Sequence, residues 1–173
     1  MDRSSKRHPE FFEALKRFPK ESSWLDVGAG NGWLSDEIQK ELSGEHACID
    51  LEAHPNRVKA FSGERLGYPP GSFDLVVFSY VLHHAAERAP QLLADAFRVA
   101  RRAVIIQEDL RNGTDVVDAM LNAHDPQGIF YSQEGWHEQV ELAGGAVTHF
   151  EPLTLVEYPH YPVPRGLFIC SCL

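Results

Sequence analysis

Long apolar runs are missing from this sequence. No stretch approaches the ~20 residues that a membrane-crossing helix needs, so a protein that spans the bilayer by helices is excluded. Cysteine is scarce: 3 in 173 residues, at Cys48, Cys170 and Cys172. They are too few and too unevenly spaced for a disulfide framework, and a reducing, cytoplasmic setting is expected. Basic residues are also short, with 16 Lys and Arg against 25 Asp and Glu, a net charge of −9. Non-specific nucleic-acid affinity comes mostly from Lys and Arg neutralising phosphates. Lys6-Arg7 and Arg101-Arg102 are too short to form such a patch, so no nucleic-acid partner is expected. No repeat or low-complexity segment occurs. No apolar stretch follows the polar start Met1–His8, so no secretory signal is expected.

What is present is ordinary globular material, 43% hydrophobic and 24% charged. The length suits one domain over residues 1–173, with a core large enough to need no staples. Pro9 to Phe18 reads as a short helix whose apolar side is Phe11, Phe12, Leu15 and Phe18, stopped by Pro19. Trp24–Val27 reads as a strand, Gly28–Gly32 as a glycine turn, and Leu34, Ile38 and Leu42 as one side of a helix that Gly44 ends. Further strands are expected at Ala47–Leu51, weakly at Arg57–Phe61, at Phe73–Ser79 and at Ala103–Ile106. Pro90 opens a helix before the last of these. Helices around Thr114–Ala123 and Ser132–Ala143 follow, then strands near Val147–Val156 and Gly166–Cys172. This alternation predicts an α/β protein with a mainly parallel sheet.

Strand, glycine turn and helix together suit a nucleotide-type ligand, because glycine admits close approach and a helix N-terminus offers free N–H groups. The dinucleotide fingerprint is G-x-G-x-x-G. Here Gly28, Gly30 and Gly32 alternate, and Trp33 stands where that fingerprint has its third glycine. The indole argues against a pyrophosphate. Asp26, just before the turn, suits a ligand with a cationic amine.

The segment Trp24-Leu25-Asp26-Val27-Gly28-Ala29-Gly30-Asn31-Gly32 resembles the first motif of class I S-adenosylmethionine-dependent methyltransferases, of the small type 11-like kind. Cys48-Ile49-Asp50-Leu51 resembles the second motif. Phe73 through Ser79, then Tyr80-Val81-Leu82-His83-His84, resembles the fourth-strand segment. Arg98-Val99 and Val104–Asp109 resemble the fifth strand. Four motifs in order make a specific match over about residues 20–110. The resemblance implies a Rossmann-like three-layer sandwich with a seven-stranded sheet in the order 3-2-1-4-5-7-6, the seventh strand antiparallel. It implies S-adenosylmethionine as cofactor, held by Asp26, Gly28, Ala29, Gly30, Gly32, Asp50, Leu51, Glu64, Phe78 and Ser79. Asp50 would take the ribose hydroxyls. Glu64, after Gly63, would stand where the family has an acid for the adenine amino group. Only 22 residues separate Asp50 from Phe73, so the helix after the second strand is expected to be lost or reduced to a turn. Residues 1–18 are expected to form an arm and a lid helix over the cofactor.

His83-His84 follows the fourth strand at the edge where open α/β sheets bind ligands. One imidazole would serve as base toward a substrate proton, or the pair would cap a helix and pack beside the cofactor. Glu108-Asp109 and His124-Asp125, with these histidines, could compose a metal site. Nothing fixes their spacing, and no metal is expected. Tyr68-Pro69-Pro70-Gly71 superficially resembles the Pro-Pro motif of methyltransferases acting on nucleobase or amide nitrogens, but it precedes the fourth strand instead of following it. The expected function is methyl transfer to a small organic acceptor, with a hydroxyl oxygen preferred. The acceptor's pocket is expected between the lid, the two histidines, Glu108-Asp109 and Phe130–Trp136. The alternative is a cofactor-binding but catalytically silent regulatory or partner protein.

Overall fold

The computed structural model describes residues 9–154 and 162–172. The aromatic segment Tyr158–Tyr161 and residues 1–8 lie outside them.

Alternation along the strands builds three layers. Strands β1 (Trp24–Val27), β4 (Phe73–Ser79) and β5 (Ala100–Asp109) form the middle of the sheet. Successive side chains of a strand point to opposite faces. Leu25, Val27, Val76, Phe78, Val104 and Ile106 enter one core, where they meet Leu92, Leu93 and Ala96 of helix α4 (Ala89–Val99) and Trp136 and Val140 of helix α6 (Gln133–Leu142). Their neighbours Trp24, Leu75, Val77, Ala103 and Ile105 enter the other, against helices α1 (Pro9–Leu15) and α2 (Trp33–Glu41). Apolar residues on both faces explain the near-continuous hydrophobic runs. Each fully buried Leu, Ile or Phe contributes roughly 1.5–3 kcal/mol over leaving it in water.

The remaining strands are β2 (His46–Asp50), β3 (Lys59–Ala60), β6 (Gly145–Pro152) and β7 (Arg165–Cys172). The order is β3-β2-β1-β4-β5-β7-β6. Strand β7 runs antiparallel to both β5 and β6, and the other pairings are parallel. This is the sheet that the resemblance implied. Between β2 and β3 no helix forms. The chain turns through a bridge between His54 and Val58, and the weak third strand shrinks to two residues.

At the other end of β1 and β4, Asp74 gathers the chain entry. It accepts from the Ser23 amide at 2.9 Å and pairs with Arg101 and Arg102.

One expectation needs correction. Phe11 and Leu15 are fully buried in the α1–α2 core with Trp24, Ile38 and Leu153. The apolar side of α1 is therefore spent on the sheet, and this helix is a core element where a lid was expected.

Candidate active site

The site grows from the carboxyl ends of β1, β2 and β4. Gly28, Gly30 and Gly32 all take the left-handed conformation, at φ of 74°, 55° and 80°. Side-chain-bearing residues are strained there. A Cβ on Gly28 would also collide with the Val81 side chain, whereas nothing lies within 4 Å of one on Gly30. The turn thus packs tightly on one side and stays open on the other.

Asp50 closes the turn from β2. Its Oδ2 accepts from the Gly30 amide at 2.7 Å. Asp26 lies below, only 1% exposed, and accepts from the Ser35 hydroxyl of α2 at 2.8 Å. Burial pushes its carboxyl up to about 6, against the Ser35 hydrogen bond, with the nearby Asp50 charge adding to the rise.

A cavity of about 340 Å³ opens over this turn, lined in part by Gly28, Asp50, Leu51, Phe61, Gly63 and His84. That size falls within the range of small-ligand pockets. Tyr80, Val81, Arg88 and Leu92 complete much of its wall.

The two histidines sit on a short helix, α3 (Leu82–Ala85). They have opposite environments. His83 is 1% exposed, and its Nδ1 lies 2.5 Å from Glu108 Oε2. The other oxygen of Glu108 accepts from the Val81 and Leu82 amides at 3.0 and 2.7 Å, capping α3. The His83 ring stacks on Phe130, centroids 4.7 Å apart. Burial works against the imidazolium, but the Glu108 hydrogen bond and charge outweigh it, so the His83 pKa is raised. His84 is exposed, lines the cavity and places Nδ1 2.6 Å from Asp125 Oδ2. Asp125 follows helix α5 (Asp115–His124) and also accepts from the Gln127 amide at 3.0 Å. Burial acts to raise its pKa. The hydrogen bonds from His84 and the Gln127 amide outweigh that and hold it below the usual range.

The cavity thus brings together Gly28, Asp50, Leu51 and His84 from the sequence expectation. It leaves others out. Glu64 is exposed and faces a separate groove with Arg65, Gln91 and Asp95, because Gly63, at φ 79°, turns the chain away. Asp26 is buried, tied to Ser35 of α2, and does not line the cavity. Phe78 is fully buried in the core, and Ser79 donates to Gln107 Oε1 at 3.3 Å. Ala29 packs with Cys48 and Val58 under the turn. Glu108, Asp109, Phe130 and Trp136, expected around an acceptor, are all buried supports. Sequence reasoning missed Phe61 and Arg88 as lining groups. Arg88 lies beyond a break in the chain at Ala86, where φ is 50°, so helical spacing from His84 carries no signal for it.

The donor set fits S-adenosylmethionine: a carboxylate at the end of β2 for a diol, and a glycine turn whose open side admits backbone contact.

A family model described as a methyltransferase domain matches residues 4–149. The chain belongs to that family, the S-adenosylmethionine-dependent methyltransferases of the class I fold. Among curated proteins, nothing matches the sequence. Among solved structures, the chain is similar to one from a complex between the Haloferax volcanii Trm112 methyltransferase activator and a methyltransferase. That match has a TM-score of 0.76 at 14% identity and covers 92% of this chain and 87% of that one. It is also similar to an O-methyltransferase of neocarzinostatin biosynthesis, solved with S-adenosylmethionine and 2-hydroxy-5-methyl naphthoic acid. The TM-score there is 0.70 at 18% identity, over 92% of this chain and 52% of that one. A third likeness is to the [4+2]-cyclase SpnF, with a TM-score of 0.72 at 13% identity, covering 93% of this chain and 79% of that one. At these identities the likeness establishes the fold alone.

Proposed function

We propose that the protein transfers the sulfonium methyl of S-adenosylmethionine to a small organic acceptor, with a hydroxyl oxygen as nucleophile. The observation that carries this reading is a single cavity joining Gly28 and Asp50 to the imidazole of His84. Asp50 takes the ribose diol, and the glycine turn admits the cofactor backbone to backbone. When bound, the cofactor supplies an already activated methyl carbon, so the protein's main work is alignment and exclusion of water. Tied to Asp125, a neutral His84 donates from Nδ1 and keeps its Nε2 lone pair as a base for the acceptor's proton. His83 has no such freedom, because Glu108 and Phe130 hold it inside. The net charge of −9 and the modest cavity favour a small acceptor over nucleic acid. Among the described residues no helix is long and apolar enough to cross a membrane, consistent with the proposed cytoplasmic setting.

A second reading is a partner protein that binds the cofactor without turnover; the same fold occurs in a [4+2]-cyclase, so the fold by itself does not fix the reaction. Turnover separates the two. Release of S-adenosylhomocysteine is measured with a panel of phenols, hydroxy acids and amines. Methyl transfer to a phenol or hydroxy acid is expected, and His84→Gln should lower its rate by ~10²–10⁴ with cofactor affinity unchanged. Cofactor binding with no turnover on any acceptor selects the silent reading. Full turnover in His84→Gln reduces catalysis to alignment alone.

A further inference from the structure

His83, His84 and Asp125 each offer one ligand atom, and these atoms lie within 4.8 Å of one another. Three observations make this more than a chance cluster. The first is an orphan: His83 Nε2 is buried and has no hydrogen-bond partner among the described residues. The second is its counterpart on the same ring. Glu108 engages Nδ1 at 2.5 Å, which leaves Nε2 as the ring nitrogen able to bind a ligand. A carboxylate behind an imidazole is the arrangement that orients metal-ligating histidines and raises their basicity. The third is the short contact between His84 Nδ1 and Asp125 Oδ2, 2.6 Å, a nitrogen and an oxygen already aimed at one another.

We propose that His83, His84 and Asp125 hold a divalent transition-metal ion of the zinc class next to the cavity that His84 lines. Tetrahedral ligands ~2 Å from an ion lie ~3.3 Å apart. Small rotations of the exposed His84 and of Asp125 reach that spacing, while His83 stays fixed by Glu108. Two imidazoles and one carboxylate select zinc, cobalt or nickel over magnesium or calcium, which prefer all-oxygen shells. Three protein ligands leave a fourth position open, and His84 places that opening beside the cavity.

The ion takes the place of the proton between His84 and Asp125. The single proton of the neutral His84 ring then resides on Nε2, and the lone pair proposed above as the base is lost. Metal binding therefore inhibits methyl transfer. This consequence rests on the proposed role of His84; the binding itself does not.

The test adds Co²⁺ to chelator-stripped, full-length protein and reads its visible d–d absorption. Zn²⁺ affinity is measured in parallel by competition with a chromophoric chelator. One intense band saturating at one ion per chain is expected, displaced by Zn²⁺. His84→Gln and Asp125→Asn should each weaken Zn²⁺ affinity at least ten-fold, with circular dichroism and Tm of the metal-free protein unchanged. No band at stoichiometric Co²⁺, or a band and affinity that both variants leave intact, overturns the site. Inhibition by Zn²⁺ that a chelator reverses is read separately. Stoichiometric binding without inhibition keeps the metal site and removes His84 as the base.

Discussion

Glu108 Oε2 lies 2.5 Å from His83 Nδ1, while Oε1 of the same carboxylate takes the amides of Val81 and Leu82. Strand β5 thereby holds the start of α3 and the ring next to His84 with one buried side chain. Removing one partner of a buried ion pair typically costs about 3–5 kcal/mol, because the other is left uncompensated. Glu108→Ala should destabilise the protein by that order, read as a lower midpoint in urea at unchanged slope. A loss under about 1 kcal/mol would mean that α3 is held elsewhere.

Asp26 carries the opposite cost. Burial lifts its carboxyl from 3.8 to about 6, against the Ser35 hydrogen bond and with help from the Asp50 charge. A raised acid binds its proton more tightly when folded. Its contribution to stability therefore declines as pH rises from the unfolded value through about 6, and is flat above. The shift corresponds to up to about 3 kcal/mol. Asp26→Asn keeps an acceptor for Ser35 and removes the charge. It should raise cofactor-free stability at pH 7 by up to that amount, with the gain fading toward pH 4. Denaturation of both forms at pH 7 and pH 4.5 checks the sign. A variant less stable at pH 7 would show that the ionised form is stabilised in the fold.

Asp50 offers a charged acceptor at the cavity wall, and charge-assisted hydrogen bonds contribute about 1.5–3 kcal/mol. Asp50→Ala should weaken S-adenosylmethionine binding by roughly ten-fold or more. Titration calorimetry reads this directly. Unchanged affinity with the fold intact would remove Asp50 from the cofactor site.

The sheet was legible because its period is local. Phe73–Ser79 and Ala103–Ile106 read as buried strands, and both fill two cores with alternating residues. The missing helix after β2 was also legible, since 22 residues with Pro55, Pro69 and Pro70 leave no room for a helix and a full strand. Boundaries slipped where pairing decides them. Strand β3 keeps only the two residues that pair with Ile49 and Asp50.

Sequence by itself determined the turn at Gly28–Gly32, the acid at the end of β2 and the place of the histidine pair after β4. These are short-range patterns, set by backbone conformation and by which residues a strand end carries. Tertiary structure decided the rest. An amphipathic helix such as Pro9–Leu15 declares that it will cover something, not what; Phe11 and Leu15 went into the core. One φ angle, at Gly63, turned Glu64 away from the cavity. The division of labour between His83 and His84 depends on Glu108 and Asp125, which stand 25 and 41 residues along the chain. Contacts at that separation follow from how β5 and α5 pack, and adjacent identical residues carry no local signal that one is locked inside while the other faces the cavity.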